Sequence, residues 1–145
     1  MKQYDPAGVW ERVQSTAASD SQSLGGLMDA LWLETRVFQH LSGKLPPTQA
    51  AIARELSRSN YRQLSCLKGM DILTSGAKPD IQTLPVPNDP PELHLRRSYA
   101  QTLRLRGDYE ARRNDAAYGY LFRALAQQAQ TNCQRILELL GAIVK

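Results

Sequence analysis

A chain of 145 residues with 42% hydrophobic and 22% charged residues has the length and balance of a single globular domain, 1–145. These values exclude an intrinsically disordered chain and a miniature fold that needs disulfides or a structural metal. No stretch approaches the ~20 apolar residues of a membrane span, and Met1 to Ser23 has no apolar signal core, so the expectation is no membrane and a cytoplasmic location.

Residues 1–21 read as an N-terminal extension. Asp5-Pro6 suits a helix cap and first turn, predicting a short helix through Gln14 with Val9, Trp10 and Val13 on one face. Ser15 to Ser23 is small and polar, as in a loop. A first long helix is predicted over about Gln22 to Leu41, with Leu24, Leu27/Met28, Leu31, Thr35, Phe38 and Leu41 at helical spacing. Gly43 stops it and Pro46-Pro47 opens the next. That second helix runs to Ser75 with Ile52, Leu56, Asn60, Gln63, Leu67, Met70 and Thr74 in line, so two amides interrupt its apolar stripe.

Residues 77–91 hold five prolines and form the one long linker. About fourteen extended residues reach ~45 Å, whereas a 25-residue helix is ~37 Å long. The linker can therefore cross the full height of a bundle, and the third helix, Glu92 to Arg113, can run parallel to the second. A fourth is predicted over Ala117 to Ile143. Its stripe of Tyr118, Phe122, Leu125, Ala129, Asn132, Ile136, Leu139 and Ile143 alternates steps of four and three, the period of bundle packing. The fold class is thus all-α: a four-helix bundle of two antiparallel hairpins joined by a crossover, plus the short N-terminal helix.

Several runs of residues resemble a known family. Leu67-Lys68-Gly69-Met70-Asp71-Ile72-Leu73-Thr74-Ser75-Gly76 looks like the end of the second helix of rubrerythrin-like proteins in the ferritin-like superfamily. Tyr109-Glu110-Ala111-Arg112, Tyr118-Gly119 and Phe122-Arg123-Ala124-Leu125-Ala126 resemble their third and fourth helices, as does Asn132-Cys133-Gln134-Arg135-Ile136-Leu137-Glu138-Leu139-Leu140-Gly141. The resemblance spans about residues 22–141. It implies a bundle whose di-iron site takes one Glu from each of two helices and a Glu-x-x-His from each of the others.

The departures matter more than the match. On this register the six ligand positions are Leu31, Asn60, Gln63, Thr102, Ala129 and Asn132. Leu and Ala have no donor atom, and Asn and Gln offer only neutral groups where two irons require carboxylates and imidazoles. The expectation is that Asn60, Gln63, Thr102 and Asn132 hydrogen-bond to one another, to Tyr99 or Tyr109, or to a trapped water. Glu34 and Glu110 are the carboxylates nearest these positions; with Glu55, they are expected at the surface or edge. His40 and His94 fall near helix ends.

No phosphate-binding glycine loop, GxSxG or Cys/His metal spacing is present. The two cysteines, Cys66 and Cys133, read as buried free thiols. Arg96, Arg97, Arg104, Arg106, Arg112 and Arg113 crowd the third helix; Glu92, Asp108 and Glu110 among them make a solvated face the reading and a nucleic-acid surface the alternative. The functional expectation is a non-catalytic bundle with a binding or assembly role, no cofactor, and a homodimer that buries the Val9-Trp10-Val13 face. The enzymatic alternative is an iron or other metalloprotein of oxygen or peroxide handling, built on displaced carboxylates.

Overall fold

A computed structural model describes residues 23–144. They form four helices and no strand: α1 (Leu24–Ser42), α2 (Pro47–Ser75), α3 (Pro91–Ala111) and α4 (Gly119–Ile143). The N-terminal helix expected before Gln14 and its Val9-Trp10-Val13 face lie outside the described residues.

The helix ends follow local chemistry. Ser23 caps α1 by accepting the Gly26 N–H at 3.1 Å. Pro47 and Pro91 sit in the first turns of α2 and α3, where a missing N–H costs nothing. Gly76 ends α2 in the left-handed region at φ 75°, with its N–H on the Ile72 carbonyl. α3 stops two residues short of the expected end. The Arg112 and Arg113 amides bond three residues back, to the Tyr109 and Glu110 carbonyls, which tightens the last turn. α4 starts late because Asp115 Oδ1 first takes the amides of Ala117 (3.1 Å) and Tyr118 (3.4 Å) in a turn. Gly119 then passes so close to the Arg113 carbonyl that a Cβ would lie 2.6 Å from its oxygen.

α1 pairs most extensively with α2, and α3 with α4; α2 also packs on α4, and α1 on α3. The buried apolar residues form two clusters, and the order in which each helix visits them gives its direction. α1 goes from Leu27, Met28 and Leu31 in the first cluster to Val37, Phe38 and Leu41 in the second. α2 runs from Ala53 and Leu56 in the second to Leu64, Leu67 and Met70 in the first. α3 also descends, from Leu95 to Leu105 and Tyr109, and α4 returns from Phe122, Leu125 and Ala129 to Ile136 and Leu139. The order is up-down-down-up, with α2 and α3 parallel.

The proline-rich linker makes this order possible by climbing α1. The Gln82 amide donates to Asp29 Oδ1 at 2.8 Å, Trp32 Nε1 to Thr83 Oγ1 at 3.2 Å, and the Arg36 guanidinium to the Leu84 carbonyl. Ile81 packs on the first cluster and Val86 on the second. At the end of the climb, His94 of α3 meets His40 of α1, ring edge to face, with centroids 5.8 Å apart.

Two glycines of α2 separate backbone strain from helix propensity. Gly76→Ala should cost about 1–2 kcal/mol, because the residue needs a left-handed conformation. Gly69→Ala, where a Cβ would meet nothing within 4 Å, should raise stability by up to about 1 kcal/mol. Urea denaturation followed by circular dichroism would show the two opposite signs.

Candidate functional site

Between the two apolar clusters every helix turns polar on its inner side. α1 contributes Glu34 and Thr35, α2 Ser57, Ser59, Asn60 and Gln63, α3 Ser98 and Thr102, and α4 Asn132, all buried. On α3 the buried seam reads Leu95, Ser98, Thr102, Leu105, Tyr109, in steps of three and four with its centre polar. The layer cuts the core in two.

Much of the layer satisfies itself. The Tyr109 hydroxyl donates to Gln63 Oε1 at 2.9 Å, and Gln63 Nε2 donates to Ser59 Oγ at 3.3 Å. Asn132 Nδ2 donates to the same Ser59 oxygen at 3.0 Å. This chain ties α3, α2 and α4 together. α1 joins through Ser57, whose hydroxyl donates to the Thr35 carbonyl at 2.8 Å. Thr35 and Thr102 bond back to carbonyls four residues earlier in their own helices, each at 2.7 Å. Burial raises the Tyr109 phenol far above its usual range, with the neighbouring Cys66 and Asp108 groups adding to the effect and Arg112 opposing it, so this hydroxyl keeps its proton and acts as a donor.

The six positions singled out in the sequence are all interior. Leu31 and Ala129 are fully buried in the first apolar cluster, and Asn60, Gln63, Thr102 and Asn132 lie in the polar layer. Gln63 and Asn132 converge on Ser59, while Thr102 bonds within its own helix. Tyr99 packs against the second cluster and Tyr109 against the first, so of the two only Tyr109 joins the hydrogen-bonded chain. This donor set does not fit two irons. It holds no carboxylate or imidazole, and the Gln63 amide is engaged at both ends. No group of three or more His, Cys, Asp or Glu side chains able to hold a metal occurs among the described residues.

Glu34 corrects the expectation of a surface carboxylate. It is 6% exposed, and its Oε1 is buried without a hydrogen-bond partner. Its place explains this: Leu27, Leu31, Glu34, Phe38 and Leu41 follow the inward seam in steps of four and three. Burial pushes its carboxyl up to about 7, and the Ser98 hydroxyl beside it pulls the other way. Glu110 and Glu55 are exposed, as expected, with Glu110 near Arg113 (3.6 Å) and Glu55 bonded to Arg135 across to α4 (2.7 Å). Glu34 and Glu110 line separate cavities, so the two displaced carboxylates are not brought together.

Ser59 and Ser98 were missed in the sequence, and Asp108, expected on a solvated face, is instead buried, three residues after Leu105 and beside Tyr109 on the inner side of α3. Ser59 could have been found three residues after Leu56 and four before Gln63; small hydroxyls carry no signal on a hydrophobicity pattern. The arginines on α3 and just beyond its end are mostly engaged within the chain. Arg97 pairs with Asp89, Arg96 with Glu92 at 3.8 Å and Arg113 with Glu110, Arg106 reaches Gln130, and Arg112 lies over the Phe122 ring. Cys133 is buried and Cys66 half-buried; burial raises both thiols, so neither is a poised thiolate.

Two cavities flank α1. One, of about 360 Å³, lies beside Trp32, Tyr61, Leu64 and Lys68. The other, of about 300 Å³, is bounded by α1, α3 and the crossover, and Glu34 lines it together with Asp29, Gln101 and Leu84. The chain matches no protein-family model, no curated protein and no solved structure.

The two halves of the layer respond differently to mutation. Tyr109→Phe leaves Gln63 Oε1 buried without its donor and should cost about 1–3 kcal/mol, mostly recovered when Gln63 is also changed to Met. For Glu34 the native state holds its proton up to about pH 7 while the unfolded chain releases it near 4.5, so native stability falls as pH rises through that window. Glu34→Gln should abolish this fall and be more stable above pH 7 by up to about 3 kcal/mol. Chemical denaturation of both proteins from pH 4 to 9 checks the sign.

Proposed function

We propose that this chain is a non-catalytic bundle of the ferritin-like, rubrerythrin-like kind, in which a polar layer stands where such proteins hold two irons. Its role is binding or assembly, and it acts as a homodimer in the cytoplasm. The observation that carries the reading is the chain Tyr109–Gln63–Ser59–Asn132. Two of its four members, Gln63 and Asn132, stand at positions where the resemblance expects histidines. Their amide nitrogens both donate to the Ser59 hydroxyl oxygen.

The up-down-down-up order with a long crossover adds support, as does the burial of all six positions. The apolar framework around the layer is intact, so the loss of ligand chemistry has not loosened the bundle. A fold with a sound core and no reaction centre acts through its surfaces and cavities. Iron chemistry through displaced carboxylates has no support from the placement of Glu34 and Glu110.

The test is to produce the protein with excess iron and, separately, excess manganese, then pass it through gel filtration with in-line light scattering and measure bound metal. The expected result is a dimer mass with only trace metal. Stoichiometric metal that is lost in an Asn60→Ala/Asn132→Ala variant would overturn the reading of the centre. A monomer at high micromolar concentration would overturn the assembly.

A further inference from the structure

We propose that the cavity between α1, α3 and the crossover is a binding site for a short aliphatic diamine, with Glu34 and Asp29 each taking one ammonium group. The site goes beyond the proposed function. It shares no residue with the Tyr109–Gln63–Ser59–Asn132 chain, so either can fail alone.

The first observation is an electrostatic vacancy in the chain's own pairing. Glu34 is 94% buried by its 6% exposure, lines the cavity, and has one carboxylate oxygen without a partner. No Lys, Arg or His among the described residues forms an ion pair with it. Arg36, a near neighbour on α1, is committed to the Leu84 carbonyl. An ionised carboxylate in such a place is stable only with a cation that hydrogen-bonds to it.

The second observation is the composition of the walls. Asp29 supplies another carboxylate; its Oδ1 accepts the Gln82 amide, which fixes the side chain and leaves the second oxygen available. Gln101 of α3 lines the same space, and Ala30, Leu33 and Leu84 supply an apolar part of the wall. Glu34 lies five positions after Asp29, a rise of about 7.5 Å along the helix and a turn of about 140° around it, and both side chains line the cavity. In an extended four-carbon diamine the nitrogens lie roughly 6 Å apart, by ordinary bond lengths. Because both carboxylates line one cavity with an apolar strip in its lining, the diamine's two charges can pair with the two carboxylates and its methylenes with Ala30, Leu33 and Leu84. A cavity of about 300 Å³ takes such a molecule with space for water at its mouth. A divalent metal is a poorer match, since only two carboxylates line the space and no group of three or more metal-ligating side chains occurs among the described residues.

The experiment is isothermal titration calorimetry of the full chain at pH 8 with 1,4-diaminobutane, butylamine, 1,4-butanediol and magnesium chloride. The diamine should bind, butylamine about tenfold or more weakly, and the diol not at all. Glu34→Gln should weaken the diamine by about tenfold to a hundredfold, the loss of one charge-assisted pair. Asp29→Asn, which keeps an acceptor for Gln82, should weaken the diamine but leave butylamine unchanged. Circular dichroism melts of both variants, no lower than that of the parent protein, establish that the fold is kept. Diamine binding unchanged in Glu34→Gln, diol binding as tight as diamine, no amine binding at all, or tighter magnesium binding would each overturn the proposal.

Discussion

Buried amides and hydroxyls must find partners, and in this bundle that requirement sets the register of the helices. Two apolar clusters of Leu, Ala, Val, Phe, Met and Ile side chains are tolerant of sliding, since one aliphatic surface packs against another at little cost. The layer between them is not. Ser59 accepts from Gln63 and Asn132 at once, and Gln63 accepts from Tyr109. Moving α4 by one turn, 5.4 Å, would carry Asn132 into an apolar cluster and strip Ser59 of a donor. Each orphaned group would then cost about 1–3 kcal/mol. The apolar clusters supply stability, and the polar layer restricts how that stability can be realised.

The crossover depends on a related economy. Its prolines have no N–H to satisfy, so a segment lying across the bundle needs few backbone partners. At its start Ala77 bonds to the Ser75 hydroxyl of α2, and further on its partners lie on one face of α1, at Asp29, Trp32 and Arg36, spaced by about a turn each. The linker is thereby laid along α1 in the direction that brings Pro91 to the same end as Ser42. α3 must then start beside the end of α1 and run parallel to α2. The cavity lined by Glu34 is a by-product of this path, because the linker spans the seam between α1 and α3 without filling it.

Helix existence, order and most boundaries were legible in the sequence, because stop signals and apolar spacing agree at each end: Gly43, Pro46-Pro47, Gly76, and the steps from Phe122 to Leu139. The polar layer was legible only in part. Asn60, Gln63 and Asn132 stood out as amides on otherwise apolar stripes, and Thr102 was found through the family register. Ser59 and Ser98 did not, because a serine on a helix is unremarkable in either setting. Glu34 was misread for the opposite reason. Its spacing with Leu31 and Phe38 points inward, but a carboxylate is almost never fully buried without a partner, and residue type was given more weight than position. Tyr109 and Tyr99 could not be ranked by spacing, since one turn of a helix decides which cluster each one meets.

The layer thus contains two kinds of polar group, and they differ in what completes them. Tyr109, Gln63, Ser59 and Asn132 are completed from within the chain, so they add to the specificity of the fold and ask nothing of the solution around it. Glu34 is not completed. With a carboxyl raised to about 7, it is neutral and tolerable in mild acid and destabilising once ionised. Ser98 offsets only part of that cost. Among the described residues no ammonium or guanidinium pairs with it, although Arg36 lies two residues away and is turned to the crossover instead. A packed core would accommodate a Gln or Met at this point of the seam with less penalty. A charge of this kind is balanced from outside the chain, and the cavity at its side is the route by which a cation reaches it.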